Sequence, residues 1–281
     1  MKISIDRGVL LKALNHVQSV VERRNTIPIL SNVKIDADEK GISLIATDLD
    51  LEIIEKVEAT VSQVGSTTVS AHILYDIVRK IPEGSSIEIE QNQDDQMELK
   101  SGQSNFDLPC LPDEDFPEMS SGEMPCNFTM NSSDITRLID KTKFASSTEE
   151  TRYYLNGIFL HSINNELRSV ATDGHRLACI KSDLPSGAEE MPSIIIPRKT
   201  VGEIRKLIED SSDNLTIKVS DTKIQFILKD VQLTSKLIDG TFPDYERVIP
   251  KNNDKELSIE TKIFSSSIDR VATISSDKSK A

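Results

Sequence analysis

Ala171-Thr172-Asp173 repeats Ala46-Thr47-Asp48 at a separation of 125 residues, and the rest of the chain can be read outward from that pair. Leu155-Asn156-Gly157-Ile158 meets Leu30-Ser31-Asn32-Val33 at the same separation. Further along, the run Arg205-Lys206-Leu207-Ile208-Glu209-Asp210-Ser211-Ser212 meets Arg79-Lys80-Ile81-Pro82-Glu83-Gly84-Ser85-Ser86 at 126, as Phe242-Pro243 meets Phe116-Pro117. Matches held in register over most of the chain, with one residue of drift, mark a duplicated unit.

Within the first copy Ile3 and Ile5 alternate as a strand, and Leu10, Leu14, Val17 and Val21 then share one helical face. The second copy has Phe128 and Met130 in the strand and Ile135, Leu138 and Ile139 on the helix. Short alternating stretches follow, among them Ile42/Leu44 and Leu51 to Val57. A second helix carries Leu74, Ile77, Val78 and Ile81 at i, i+3, i+4, i+7, and strands at Ser86 to Glu90 and Met97 to Lys100 close the unit. Each copy thus reads as two strand–helix–multistrand halves, an α+β fold with helices laid on antiparallel sheet. The spacing predicts a third copy, with Leu257 and Ile259 in its strand and Phe264, Ile268 and Val271 on its helix. Three copies would need roughly 375 residues. The 281 residues therefore read as a chain that stops inside the third copy. The Pro/Gly/Ser-rich acidic run Asp113 to Pro125 and the polar run Pro250 to Glu256 mark the boundaries, giving domains 1–122 and 123–252 and the truncated start of a third at 253–281.

The composition narrows the chemistry. The formal charge is −13, yet the helical segments together carry +8, leaving −21 on everything else. Lys and Arg are good helix formers on solvated faces, which accounts for this sorting in one way; the other reading places equivalent helices on a common cationic surface within an acidic shell, suited to attracting phosphate without reading bases. Cys110, Cys126 and Cys179 have no CxxC spacing and are odd in number, which reads as reduced thiols in a cytoplasmic protein. The N-terminus MKISIDRGVL has no apolar leader core, and no apolar run suffices for a membrane span.

The strings RYYLNG (Arg152 to Gly157), ATDGHRLA (Ala171 to Ala178), TSKL (Thr234 to Leu237) and FPDY (Phe242 to Tyr245) resemble the bacterial DNA polymerase III beta subunit, the sliding-clamp family. The resemblance runs from residue 1 to the end of the chain. It implies repeated DNA-clamp domains, three per subunit, closed head to tail into a homodimeric ring when full length. Helices would line the inner face, antiparallel sheet the outer, and double-stranded DNA would pass through the hole. It implies a non-catalytic processivity factor without cofactor. Its partners would be the polymerase III catalytic subunit, the clamp loader and other proteins bearing a clamp-binding motif.

Carried residue by residue, the resemblance places Arg24, Arg152, Tyr153 and Tyr154 near DNA. It makes Leu155, Thr172, Gly174, His175, Arg176, Leu177, Pro243, Arg247 and Val248 the lining of a hydrophobic pocket for the partners' short peptide motif. Thr273 and Ile274 match the ring junction, faced by the surface around Leu74 to Ile81 and Gln103 to Leu108. With the third domain cut short, no closed ring is expected. From the residues themselves, Asp173-Gly174 between the strand patterns Leu167–Thr172 and Leu177–Ile180 is a hairpin signal of the type I′ kind, and Tyr153-Tyr154 fits strand packing as well as DNA contact. The glutamates of Ser146-Ser147-Thr148-Glu149-Glu150 weaken any phosphate contact there. A metal-dependent phosphoesterase using Asp48, Asp50, Asp173 and His175 is the alternative, since carboxylates and imidazole can hold Mn²⁺ or Zn²⁺. HExxH, Walker and GxSxG motifs are absent from the sequence.

Overall fold

The computed structural model describes residues 1–22, 26–92, 96–120, 122–209, 211 and 213–274, and the chain divides into two compact units, Met1–Phe242 and Pro243–Ala281. The first unit holds two copies of one motif. The first copy runs β1 (Lys2–Asp6), α1 (Arg7–Val17), β2 (Asn32–Asp38), β3 (Gly41–Thr47), β4 (Leu51–Val57), β5 (Thr60–Gln63), β6 (Gly65–Ser70), α2 (Ala71–Lys80), β7 (Ser86–Gln91), β8 (Gln96–Ser101) and β9 (Ser104–Leu111). The second runs β10 (Cys126–Asn131), α3 (Ser132–Asp140), β11 (Gly157–Ile163), β12 (Glu166–Thr172), β13 (Leu177–Asp183), β14 (Ile194–Pro197), α4 (Arg198–Leu207), β15 (Asn214–Val219), β16 (Lys223–Leu228) and β17 (Val231–Lys236). Both follow the strand–helix–multistrand plan twice over, and β5 alone lacks a counterpart.

The duplication extends to helix chemistry. Asp6 caps α1, its carboxylate accepting the Gly8 and Val9 amides at 2.7 and 3.1 Å, and Asn131, 125 residues on, caps α3 through the Ser133 amide at 2.9 Å. Behind the caps, Leu10, Leu14 and Val17 of α1 and Ile135, Leu138 and Ile139 of α3 are buried. They pack with Ile3, Ile5, Phe128 and Met130 of the preceding strands in one core cluster. The helices of each copy pair, α1 with α2 and α3 with α4, and α1 also lies against β3 and β4. The separation between equivalent elements is 125 at β2/β11 and β3/β12, 126 at β4/β13, 127 at α2/α4 and 128 at β7/β15. The match of Arg79 with Arg205 is therefore one residue out of structural register, because loop insertions accumulate; Lys206 occupies the position equivalent to Arg79.

All strand pairs are antiparallel, in two sheets of order β10-β15-β16-β17-β4-β3-β2-β6-β9-β8-β7-β1-β5 and β13-β12-β11-β14. The two copies join through β17, which pairs with β4 from Val231↔Glu55 to Ser235↔Leu51. Lys199 spans the same joint. Its ammonium donates to the Val20 carbonyl (3.2 Å), to Glu22 (3.3 Å) and to the Asp48 carboxylate. Ser19 donates to Glu203 at 2.5 Å, and Lys236 meets Asp50 at 3.0 Å. A strap from the acidic connector crosses nearby: Lys34 bonds Glu118, the buried Glu52 accepts the Met119 amide, and Lys223 donates to the Ser120 carbonyl.

Among the described residues the second unit carries one α-helix, α5 (Thr261–Ala272), and a 3₁₀ turn at Tyr245–Arg247. The strand expected at Leu257 and Ile259 does not form, and residues 251–260 have no regular structure. A strand's backbone groups need a neighbour, whereas a helix bonds its own, so the helix forms without the strand. Its apolar face, Phe264, Ile268 and Val271, is exposed.

Candidate functional site

The recurring Ala-Thr-Asp is turn chemistry. Thr47 Oγ1 accepts the Leu49 amide, and Asp48 Oδ1 accepts those of Asp50 and Leu51 at 3.0 and 2.7 Å. In the second copy Thr172 Oγ1 accepts the Gly174 amide (3.1 Å) and donates to the Arg176 carbonyl (2.7 Å), while Asp173 Oδ1 accepts the His175 and Arg176 amides, both at 2.9 Å. Thr172 pairs with Leu177, so the connection is the four-residue loop Asp173 to Arg176. The hairpin joins the strands at the ends the sequence predicts, but not by a type I′ turn: the Thr172 and Asp173 side chains accept the loop's amides and hold a wider loop. Gly174 sits at φ 87°, a left-handed conformation that favours glycine.

This loop brings Thr172, Gly174, His175, Arg176 and Leu177 together. Gly174, His175 and Arg176 are exposed, and Thr172 and Leu177 half-buried. Arg176 Nε bonds Asp173 Oδ2 at 3.0 Å, and its guanidinium lies 5.8 Å from the Phe144 ring centre. Burial alone would raise the Asp173 carboxyl's pKa. The His175 and Arg176 amides and the Arg176 guanidinium outweigh it and hold the group below its usual value.

RYYLNG approaches the loop from the side. Its residues Arg152 to Leu155 lie in a 3₁₀ turn, Glu150–Leu155, and Gly157 opens β11, so both tyrosines are outside a strand, which corrects the strand-packing option for them. Arg152 reaches the Asp173 carbonyl at 3.4 Å and Glu149 at 3.5 Å, so this arginine is already engaged by an oxygen and a carboxylate of its own copy. Tyr153 is exposed, its ring edge-on to that of the half-buried Tyr154 at 5.8 Å. Leu155 is buried and its carbonyl accepts the Ser147 amide. Asn156 donates to the Glu149 carbonyl (3.0 Å), and its own carbonyl accepts the Arg198 amide that opens α4. Gly157 pairs with Pro197 so closely that a Cβ there would strike the Ile196 carbonyl oxygen.

Pro243, Arg247 and Val248 belong to the second unit, where Arg247 bonds Asp244 at 2.6 Å and Val248 is 68% exposed. Thr273 follows α5 and donates to the Asp269 carbonyl, and Ile274 is exposed. Leu108 is buried in β9 of the first unit, opposite Met97. Arg24 lies outside the described residues.

Cation pairing differs between sheets and helices. On strands, Lys2, Lys34, Lys100, Arg168, Lys181 and Lys236 each meet a carboxylate, whereas among the described residues Lys56 and Lys218 do not and Lys223 bonds only the Ser120 carbonyl. On the helices, several cations are also structural. Arg7 donates to the Val78 and Arg79 carbonyls at the end of α2, Arg205 bonds Asp140 across to α3, and Lys199 holds the joint. Lys12, Lys80, Arg137, Lys141 and Arg198, on or capping α1 to α4, are exposed with no carboxylate in salt-bridge range among the described residues. The +8 of the sequence reading thus overstates the charge the helices can offer a ligand.

The phosphoesterase alternative fails on the same geometry. Asp48 is spent on two turn amides and Lys199, Asp173 on two amides and Arg176, and no cluster of three His, Cys, Asp or Glu with metal-binding spacing occurs among the described residues. Asp50 is taken by Lys236.

Duplicated α+β units and polar turns spent on structure define a repeat scaffold with exposed helical cations. Comparison with known proteins agrees. The family model of the DNA polymerase III beta subunit N-terminal domain matches residues 1–120, and that of the central domain 129–244. The chain is 49% identical over 286 residues to the beta sliding clamp of Caulobacter vibrioides, covering 100% of this chain and 77% of that protein. It is 37% identical to that of Escherichia coli K12, covering 99% and 76%. A solved sliding clamp from Bartonella birtlesii, bound to griselimycin, superposes with a TM-score of 0.96 at 51% identity over 99% of this chain and 76% of that one. The chain belongs to the DNA polymerase III beta subunit family, the sliding clamps, which are non-catalytic processivity factors of DNA replication. No described helix is long and apolar enough to cross a membrane.

Proposed function

We propose that the helices hold duplex DNA by its phosphates while the loop Asp173 to Arg176, with Leu155, Thr172 and Leu177, takes the peptide motif of the polymerase III catalytic subunit, the clamp loader and other partners. Pro243, Arg247 and Val248 of the second unit contribute to partner binding, and Arg24, Arg152, Tyr153 and Tyr154 to DNA contact. The domains divide at 1–122, 123–252 and 253 onward, and subunits of full length close as homodimeric rings through Leu108 of one subunit and Thr273 and Ile274 of the next, helices inward and sheet outward.

The observation that carries this reading is the sorting of cations: most strand cations are neutralised by carboxylates, and five helical ones are not. Diffuse phosphate attraction suits a tether that must move along DNA, because base-specific bonds would trap it at one sequence. Apolar Leu155 and Leu177 beside exposed polar loop groups suit a short peptide with leucine and aromatic anchors.

The test is a salt titration of duplex binding by fluorescence anisotropy. Each phosphate that is no longer neutralised lowers the slope of log K against log salt by about 0.9. Replacing Lys12, Lys80, Arg137, Lys141 and Arg198 by Gln is expected to flatten the slope by several such steps on two unrelated sequences alike. Replacing the paired Lys2 and Lys181 leaves it unchanged. An unchanged slope in the five-site variant refutes the reading.

A further inference from the structure

Phe144 is a large aromatic ring left 56% exposed, in a turn of three residues that follows α3. The turn is firmly built. Thr142 is buried and donates to the Leu138 carbonyl at 2.6 Å, the Ala145 amide bonds the Thr142 carbonyl at 2.9 Å, and Ser146 donates to the Lys143 carbonyl at 2.7 Å. Ala145 beside it is fully buried. The next residue, Ser147, donates its amide to Leu155, which ties the turn to the buried leucine of the candidate pocket. The ring carries the Arg176 guanidinium at 5.8 Å, and Arg176 is fixed in turn by Asp173. A ring exposed to water while its backbone and neighbours are locked is a platform, because little side-chain entropy remains to be lost when something lands on it.

We propose that Phe144 is a binding residue of the partner-peptide site: with Arg176 it forms an aromatic–cationic wall that takes one aromatic side chain flanking the peptide's leucine anchor. The proposal rests on the peptide-pocket reading of the Asp173 to Arg176 loop. Continuity argues for this occupant: the wall is joined to the loop through Arg176 and to Leu155 through Ser147. Phe144 offers its ring to an apolar or aromatic group, and Arg176 adds a cation that a second ring can share.

The experiment uses the 281-residue chain and fluorescein-labelled peptides read by anisotropy. One short peptide carries only a leucine and an aromatic anchor; two longer ones add a single Phe at either end. Phe144→Ala is expected to weaken one extended peptide about tenfold, about 1.4 kcal/mol, and to leave the short peptide within twofold. Phe144→Tyr restores the extended peptide, which shows that the ring and not the fold is read, and circular dichroism confirms folding of each variant. Equal affinities of Phe144→Ala and the unaltered chain for all peptides overturn the proposal, provided that Leu177→Ser still weakens them; in that case the pocket reading survives alone. Failure of the unaltered chain to bind any peptide overturns both. Loss of single-stranded DNA binding in Phe144→Ala with all peptide affinities intact also overturns it, assigning the platform to bases.

Discussion

Lys199→Met tests the joint between the two repeats. The Lys199 side chain is 36% exposed, and its ammonium bonds the carboxylate of Asp48, whose side chain is 11% exposed, together with Glu22 and the Val20 carbonyl. Removing it leaves Asp48 Oδ2 without its cation in a largely dry site, while Oδ1 keeps its two turn amides. Breaking a fully buried pair costs about 3–5 kcal/mol, and the partial exposure of Lys199 reduces that toward the range of surface pairs. A loss of about 1–3 kcal/mol is expected, which lowers Tm by about 2–4 °C per kcal/mol for a unit of this size. Burial pulls the Lys199 pKa down, but bonding and charge from Asp48, then Glu22, outweigh it, so the net shift is upward. The sign follows: a raised folded pKa gives stabilisation that is full below the ordinary lysine value of 10.5 and is lost as pH rises through the higher folded one. The assay is urea unfolding of Lys199→Met, Asp48→Asn and the double variant at neutral pH. Strong non-additivity is expected, because the asparagine side chain still accepts the turn amides and no longer needs a cation. Additive effects, or a Lys199→Met loss below about 0.3 kcal/mol, would refute the assignment of the joint to this pair.

Three further outcomes follow from the structure. Gly157→Ala forces a methyl into the Ile196 carbonyl, so β14 must retreat from β11; about 1–3 kcal/mol of destabilisation is expected in urea unfolding, and a neutral result contradicts the close approach. Burial raises the Glu52 pKa, with Glu118 adding and the Met119 amide and Lys223 opposing. Its contribution is therefore most favourable at low pH and is lost as pH rises through the folded value, so Glu52→Gln gains stability over the native chain toward neutral pH. A stability difference flat from about pH 4 to 8 would contradict this. Asp173 is held below its ordinary 3.8 by its amides and Arg176, so it stabilises above that value and loses the effect as pH falls through the lower folded one. Asp173→Asn should lack that acid-side share in a pH series of melting curves, and curves of identical shape would count against it.

The plan of the fold was legible because the two copies share their local chemistry as well as their apolar periods. Asp6 and Asn131 cap equivalent helices, and Thr-Asp turns recur at equivalent loops. The third strand was misread because alternation at Leu257 and Ile259 carries no information about whether a partner strand exists. The hairpin at Asp173-Gly174 was legible down to its strand ends, but its turn kind was not, because the Thr172 and Asp173 side chains replace backbone bonds. Arg7, Lys199 and Arg205 looked like surface cations in sequence. Their partners lie 71, 151 and 65 residues away, beyond any local pattern. Phe144 carried no signal either, since a lone Phe after a helix ordinarily goes to the core.

Site-specific photocrosslinking tests most directly which surface meets DNA. A benzophenone side chain is placed in turn at Lys12 and Arg198 on the helices, and at Lys2 and Lys181 on the strands, each with labelled duplex. Crosslinks at the two helical positions, competed away by salt and indifferent to sequence, are the predicted result. Crosslinks concentrated at the strand positions would contradict the account.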